Sequence, residues 1–319
     1  MSKDMPIAVG AGAISGFASL AFLSGMPGAL LAVYLAPLPL LLVGLVHGIK
    51  AVTVAGVSGI VIAAIAGGTS SGGLFTLIHA FPAWIIVRQA LIRYTVPGTE
   101  NEEWYPAGSI LCILSVCGAG LLIVAMAWSQ GEVGGLQGLI RSYLDQVFIY
   151  MMPTMDEAAR GGLVQLLAPL FPGYMGTSWV VMAAVNASIA MAILTRVQRT
   201  QRPKAKLADL VLPDWMSWFF VAAAGVALLG QGELEFLGQN LALILAAPFF
   251  FLGLAVVHNL ARHVSFPGML LTAFYMVLIL SGWIAVAVIA AGIAEQWFGL
   301  RRYLENPGEN RNVDDKDET

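Results

Sequence analysis

The sequence predicts an all-α, polytopic transmembrane helix bundle, and three observations carry that prediction. Charged residues make up only 11% of its 319 residues, whereas soluble globular domains carry about 25%. Hydrophobic residues make up 58%, and the mean hydropathy is +0.81. A soluble fold of this size could not cover its surface with so few charges, so lipid must act as the missing solvent. The apolar runs are also of the right kind. A helix needs about 20 apolar residues to cross a ~30 Å hydrocarbon core. The runs are continuous, whereas barrel strands alternate in polarity over about 10 residues.

In chain order the runs fall at 7–23, 28–47, 51–67, 74–93, 107–128, 176–195, 214–230, 237–258 and 268–294. That makes nine candidate spans, within a range of eight to ten. Pro27-Gly28, Gly67-Gly68, Gly72-Gly73, Pro97-Gly98 and Pro172-Gly173 punctuate them. Lys3 before the first run resembles the start of a signal peptide. Ser24 to Pro27 lead straight into another apolar run, however, so an uncleaved first span is expected. The ninth run holds Ser281-Gly282 near its centre, and one tilted helix or two short segments both fit it.

Lys and Arg in short loops orient the chain. Arg196, Arg199, Arg202, Lys204 and Lys206 form the densest basic cluster, which belongs in the cytoplasm of a bacterial inner membrane. Counting outward keeps Lys3, Lys50, Arg88, Arg93 and Arg262 inside, with a cytoplasmic N-terminus. The segment 129–175, the Gly67 to Gly73 loop and Glu233/Glu235 fall outside. Arg301 and Arg302 obey the rule only if 268–298 makes two passes. The expected divisions are a five-span bundle at 1–128, an extracytoplasmic amphipathic helical segment at 129–175, a second bundle at 176–304 and a disordered acidic tail at 305–319.

In the outer segment, Leu136, Leu139, Ile140, Tyr143, Leu144, Val147, Phe148 and Met151 recur with helical spacing opposite Gln137, Arg141, Asp145 and Gln146. Pro153 ends that helix. Thr154 and Glu157 have capping-box spacing for a second helix running towards Pro169. A helix lying on the membrane interface and a lid over an outward-facing cavity both fit the pattern.

Small residues recur every four positions within the spans. Ala51, Ala55, Gly59, Ala63 and Gly67 line the third, Ala8, Gly12 and Gly16 the first, and Gly44 with Gly48 the second. Such faces let helix backbones approach closely, either within the bundle or against a partner subunit. Two polar residues inside spans are candidate ligand contacts: Asn186 in the sixth and His79 in the fourth. Each could equally serve structure, and His79 stands three residues before Pro82, whose ring frees a backbone carbonyl. His47 and His258 fall at cytoplasmic span ends, where snorkelling accounts for them, and Gln239 and Asn240 open the eighth span at the outer surface. The loop from Gly67 to Gly73 lacks the lysine of a phosphate-binding loop and reads as a flexible hairpin. Seven tryptophans, including Trp84, Trp179 and Trp297, suit an aromatic belt at the span ends.

No acidic residue lies within an expected span, and no HExxH, GxSxG or Asp-rich phosphate motif occurs. Cys112 and Cys117, five residues apart in one run, make no metal or disulfide pattern. Neither an enzyme nor a cofactor or metal site is therefore expected. Net charge −3 and a pI of about 5.8 give no reason to expect nucleic acid.

Several stretches carry a family resemblance. LAPLPLLLVG at 35–44 followed by His47-Gly48, LLAP at 166–169 with Asn186 beyond it, GLAVVH at 253–258 and AEQWFGLRR at 294–302 resemble the YybS-like bacterial membrane proteins, a family of unknown function. Glu295 and Gln296 stand where that family often has an Asp before Trp-Phe. The resemblance spans roughly residues 5 to 304 and implies distant kinship with the substrate-binding subunits of energy-coupling-factor importers and with the rod-shape protein MreD. In those importers a small-residue ladder in the first span docks the coupling subunit, and Ala8, Gly12 and Gly16 occupy the matching positions. The leading expectation is a non-enzymatic membrane subunit that binds or transports a small solute with a membrane partner. The alternative is a scaffold in an envelope-assembly or shape-maintenance complex.

Overall fold

A computed structural model describes residues 4–24, 28–95 and 101–305. Lys3, Pro27, the Pro97-Gly98 boundary and the tail beyond Glu305 lie outside them. The described residues are mostly helical, and their only strands are the three-residue β1 (Arg93–Thr95) and β2 (Glu102–Trp104), paired antiparallel with Arg93 opposite Trp104. They belong to two compact units: Met1–Leu114 with Ser178–Ala205, and Ser115–Thr177 with Lys206–Thr319.

In the first unit, α1 (Asp4–Ser19) is followed by α2 (Ala29–Tyr34) and α3 (Pro37–His47), which share one apolar run. Pro37 and Pro39 interrupt that run because neither can donate a backbone N–H. Next come α4 (Ile49–Gly67), α5 (Thr69–Phe75), a π-helical segment Thr76–Ala80 and α6 (Phe81–Ala90). The expected hairpin from Gly67 to Gly73 is instead mostly helix. Gly68 (φ 86°) turns the chain in a conformation that suits glycine, and α5 starts at the next residue. The Ser71 hydroxyl donates to the Gly67 carbonyl across that turn (2.7 Å), and the Thr76 hydroxyl to the Gly72 carbonyl within the helix (2.8 Å).

The small faces of α1 and α4 meet each other. A Cβ on Gly12 would collide with the Ala55 carbonyl, and one on Gly16 would come 2.8 Å from the Gly59 carbonyl. Ser58 Oγ donates to the Val9 carbonyl (2.9 Å) across the contact. Direct backbone approach of this kind is how helices gain packing where lipid offers no hydrophobic drive.

The helix α7 (Ala107–Trp128) matches its expected run and contributes to both units. In the second unit, α8 (Gly135–Met151) and α9 (Glu157–Leu167) form a hairpin. Leu144 of α8 packs on Val164 and Ala168, with Ile140, Phe148 and Phe171 around them. Arg160 Nε reaches Asp145 Oδ1 at 2.7 Å. The capping residue of α9 is Asp156 and not Thr154. Asp156 directly precedes the helix, and its Oδ2 accepts from the Ala158 and Ala159 amides at 3.1 and 3.3 Å. The next helix, α10 (Phe171–Arg196), starts before the boundary expected at Pro172-Gly173, since proline is tolerated in a first turn.

Then follow α11 (Trp215–Leu229), α12 (Glu233–Ala261), α13 (Pro267–Leu280), α14 (Gly282–Phe298) and α15 (Leu300–Glu305). The ninth run is thus two helices, bent by 117° at Ser281. Gly253 of α12 and Gly292 of α14 let those helices touch backbone to backbone, at Val288 and Phe249 respectively.

Among the described residues, six helical stretches are long and apolar enough to span a bilayer, or seven if the bent pair is one span. The expected nine included α1 and α11, which have 16 and 15 residues. At 1.5 Å per residue they rise only about 24 and 22 Å, short of a ~30 Å core.

Gly292→Val places a side chain where the Phe249 carbonyl sits, and should destabilise the protein by about 1–3 kcal/mol. Gly225→Ala in α11 meets nothing within 4 Å and should cause no loss. Thermal aggregation of the two variants in the same detergent checks both.

Candidate functional site

The residues singled out from the sequence lie in the first unit. Asn186 is fully buried on α10. Its Nδ2 donates to the Tyr34 carbonyl (2.8 Å), at the break between α2 and α3, and to the Met182 carbonyl of its own helix (2.9 Å). Its Oδ1 is buried without a hydrogen-bond partner among the described residues. Ser15 of α1 donates its hydroxyl to the Ala36 carbonyl at the same break.

His79 lies in the π segment, 3% exposed, with its ring 5.6 Å from that of Phe75. It does not serve the carbonyl freed by Pro82. That carbonyl belongs to Ile78, four residues before the proline, and the Trp179 indole Nε1 donates to it at 3.1 Å. An aromatic expected at the membrane boundary therefore repairs the helix, and His79 Nδ1 is left buried without a partner among the described residues. Asn186 and Trp179 share α10, so one helix serves both irregularities.

Ala8, Gly12, Gly16, Ala51, Ala55, Gly59 and Ala63 are all buried. Gly59 faces Gly12 on one side and the Phe75 ring on the other, so the ladder leads to the aromatic that contacts His79. The face of α1 that the resemblance assigns to a coupling subunit is occupied by α4 of the same chain.

The second unit holds a site that the sequence reading passed over. Glu295, on the last turn of α14, is 8% exposed. Gly299 adopts φ 64°, a left-handed cap that ends α14 and turns the chain back on it. Arg301 consequently donates its backbone N–H to Glu295 Oε2 (2.9 Å) and its Nε to Oε1 (2.8 Å). Its two Nη atoms donate to the Ala208 and Leu210 carbonyls at 2.6 and 2.9 Å. Between those two residues, Asp209 faces Arg262 at 3.7 Å. The chain therefore departs from residue 262 and returns at residue 301 to one short segment, with α13 and α14 between. The available signal was the AEQWFGLRR stretch, but Glu295 falls one residue beyond the run expected to end at 294.

A cavity of about 530 Å³ opens here, lined by Asp209, Asp214, Glu295, Gln296, Arg301 and Arg302 with Trp297, Phe298 and Leu212. Asn240, expected at the outer surface where polar residues are cheap, is instead fully buried. Its Oδ1 accepts from the Gly173 amide (2.7 Å), and its Nδ2 donates to the Pro169 and Phe236 carbonyls (2.8 and 2.7 Å). Among the described residues no group of three His, Cys, Asp or Glu side chains could hold a metal ion.

Arg301→Ala strands a buried carboxylate and should destabilise the protein by about 3–5 kcal/mol, while exposed Arg302→Ala should stay within about 0.5 kcal/mol. The Glu295→Ala/Arg301→Ala pair should lose less than the two single changes added together. Trp179→Phe leaves the Ile78 carbonyl unpaired and should cost about 1–3 kcal/mol. Denaturant titrations of these variants in mixed micelles provide the check.

No curated protein and no solved structure matches this chain. A family model does match, over residues 14–295, a stretch that takes in the Ser15 hydroxyl at one end and Glu295 at the other. By that match the chain belongs to DUF2232, a family of predicted membrane proteins.

Proposed function

We propose that this protein is a non-enzymatic, multi-pass subunit of the bacterial cytoplasmic membrane that binds or helps to move a small solute with a membrane partner. One observation carries the reading. Asn186 Oδ1 and His79 Nδ1 are buried polar atoms without partners among the described residues, each on an element that meets an interrupted helix. Irregular backbone at membrane depth is tolerated where protein covers it or where it lines a cavity, and buried polar groups there tend to mark solute paths. π-Helical turns recur at functional sites for the same reason. The YybS-like resemblance, with its distant kinship to importer substrate-binding subunits, supports the same reading. Since α4 covers the α1 ladder, a partner would have to use another face.

The orientation that goes with this reading counts α1 and α11 as short crossings, which a bilayer accommodates by local thinning, and keeps the N-terminus and the 196–206 cluster in the cytoplasm and the α8–α9 hairpin outside. The return of the chain to residues 208–210, beside Arg262, supports a cytoplasmic side for Arg301 and Arg302 as well, in keeping with the excess of Lys and Arg on the inside.

The test is purification in mild detergent, followed by mass spectrometry of retained small molecules and of co-purifying proteins. Asn186→Ala and His79→Ala should each lower solute retention about tenfold, the loss of roughly one hydrogen bond to a buried group. If no solute is retained, no energy-coupling subunit co-purifies, and both variants keep cellular function that Gly59→Leu abolishes, the solute reading falls and the envelope scaffold replaces it.

A further inference from the structure

The cavity at the ends of α12 and α14 has walls that do different work. Glu295 and Arg301 neutralise each other, and Arg301 spends its remaining contacts on backbone carbonyls. They build the wall. Around them stand groups of both signs that the fold uses weakly. Asp209 keeps a side chain 59% exposed, with Arg262 only at 3.7 Å. Asp214 has Gln296 at 3.4 Å. Arg302 is exposed, and its guanidinium has no ion-pair partner among the described residues.

The position of the cavity narrows its occupant. Asn259 near the end of α12, Phe298 at the end of α14 and Asp214 at the start of α11 all line it. Three apolar helices thus terminate around it, which puts it at headgroup depth when they are in a bilayer. Trp297 and Phe298 form part of the lining and are 56% and 67% exposed, so an apolar rim adjoins the charged interior. Aromatic side chains of this kind settle at the boundary between acyl chains and headgroups.

From this arrangement we propose that the cavity binds the headgroup of a zwitterionic phospholipid with a primary ammonium. The phosphate meets the Arg302 guanidinium, and the ammonium donates hydrogen bonds to the Asp209 and Asp214 carboxylates. Carboxylates accept from a primary ammonium but have nothing to accept from a quaternary one. A cavity of this volume lies within the range that holds small ligands, and the rim leaves the acyl chains in lipid. Choline lipids and anionic glycerol headgroups fit the two-signed lining less well. The proposal is independent of the solute reading, which rests on the other unit.

The test uses the full chain purified in mild detergent and exposed to an equimolar mixture of phosphatidylethanolamine, phosphatidylcholine and phosphatidylglycerol. Bound lipid is then counted by native mass spectrometry. Phosphatidylethanolamine should be retained in preference to the other two. Arg302→Gln and Asp214→Asn should each weaken that retention about tenfold, as expected for loss of one charge-assisted hydrogen bond. Neither residue holds the wall, so both variants should melt with the unmodified protein. Equal retention of phosphatidylglycerol, or unchanged retention in both variants, overturns the proposal. Displacement of the lipid by millimolar free phosphoethanolamine would overturn the lipid source and assign a soluble zwitterion instead.

Discussion

Inside a bilayer there is no water to hydrogen-bond a stray backbone group, so each break in a membrane helix has to be mended by the protein. Much of this architecture follows from where its helices break and which side chains reach the breaks. Asn186 and Ser15 donate to the carbonyls between α2 and α3. Trp179 donates to the carbonyl that Pro82 leaves free. Asn240 takes both an amide and a carbonyl from the turn into α10, and Arg301 takes two carbonyls from the segment before α11. In each case the side chain comes from another element. The repair is therefore also the tertiary contact.

Small residues supply the complementary half of the packing. The α1 and α4 faces, and Gly253 with Gly292 on α12 and α14, replace side-chain interdigitation with direct backbone approach. A ladder of this kind is equally suited to a partner helix and to a neighbour in the same chain. In α1 and α4 the neighbour in the chain occupies it. The polar atoms beside the breaks, and the charged cavity at the ends of α12 and α14, are not consumed by folding in this way. Membership of DUF2232, a family of predicted membrane proteins, accords with a body built in this way.

The Glu295–Arg301 pair shows how a charged interaction can be retained at the edge of an apolar structure. Two buried charges alone would gain little over well-packed apolar residues. Here the carboxylate also accepts a backbone amide, and the guanidinium also serves two carbonyls. The pair thereby ties the end of α14 to the loop that faces Arg262, and the α13–α14 excursion closes on itself.

Composition and run length by themselves determined that this is a polytopic helical membrane protein, because the bilayer sets the length and polarity a span must have. Periodicity located α8, and the four-residue spacing of small residues located the α1 and α4 faces. Other decisions rested on partners far away in the chain. The run from 268 breaks into two helices, and its end returns to carbonyls near residue 209 through Arg301, a partner far away in the chain. Trp179, not His79, took the carbonyl freed by Pro82, and Asn240 proved buried, because each partner came from another helix. The Gly67 to Gly73 segment is helix on both sides of a turn at Gly68, which local composition did not distinguish from a flexible hairpin. Local pattern records what a segment can do in lipid, and only tertiary structure decides which distant side chain satisfies the backbone that a proline or glycine releases.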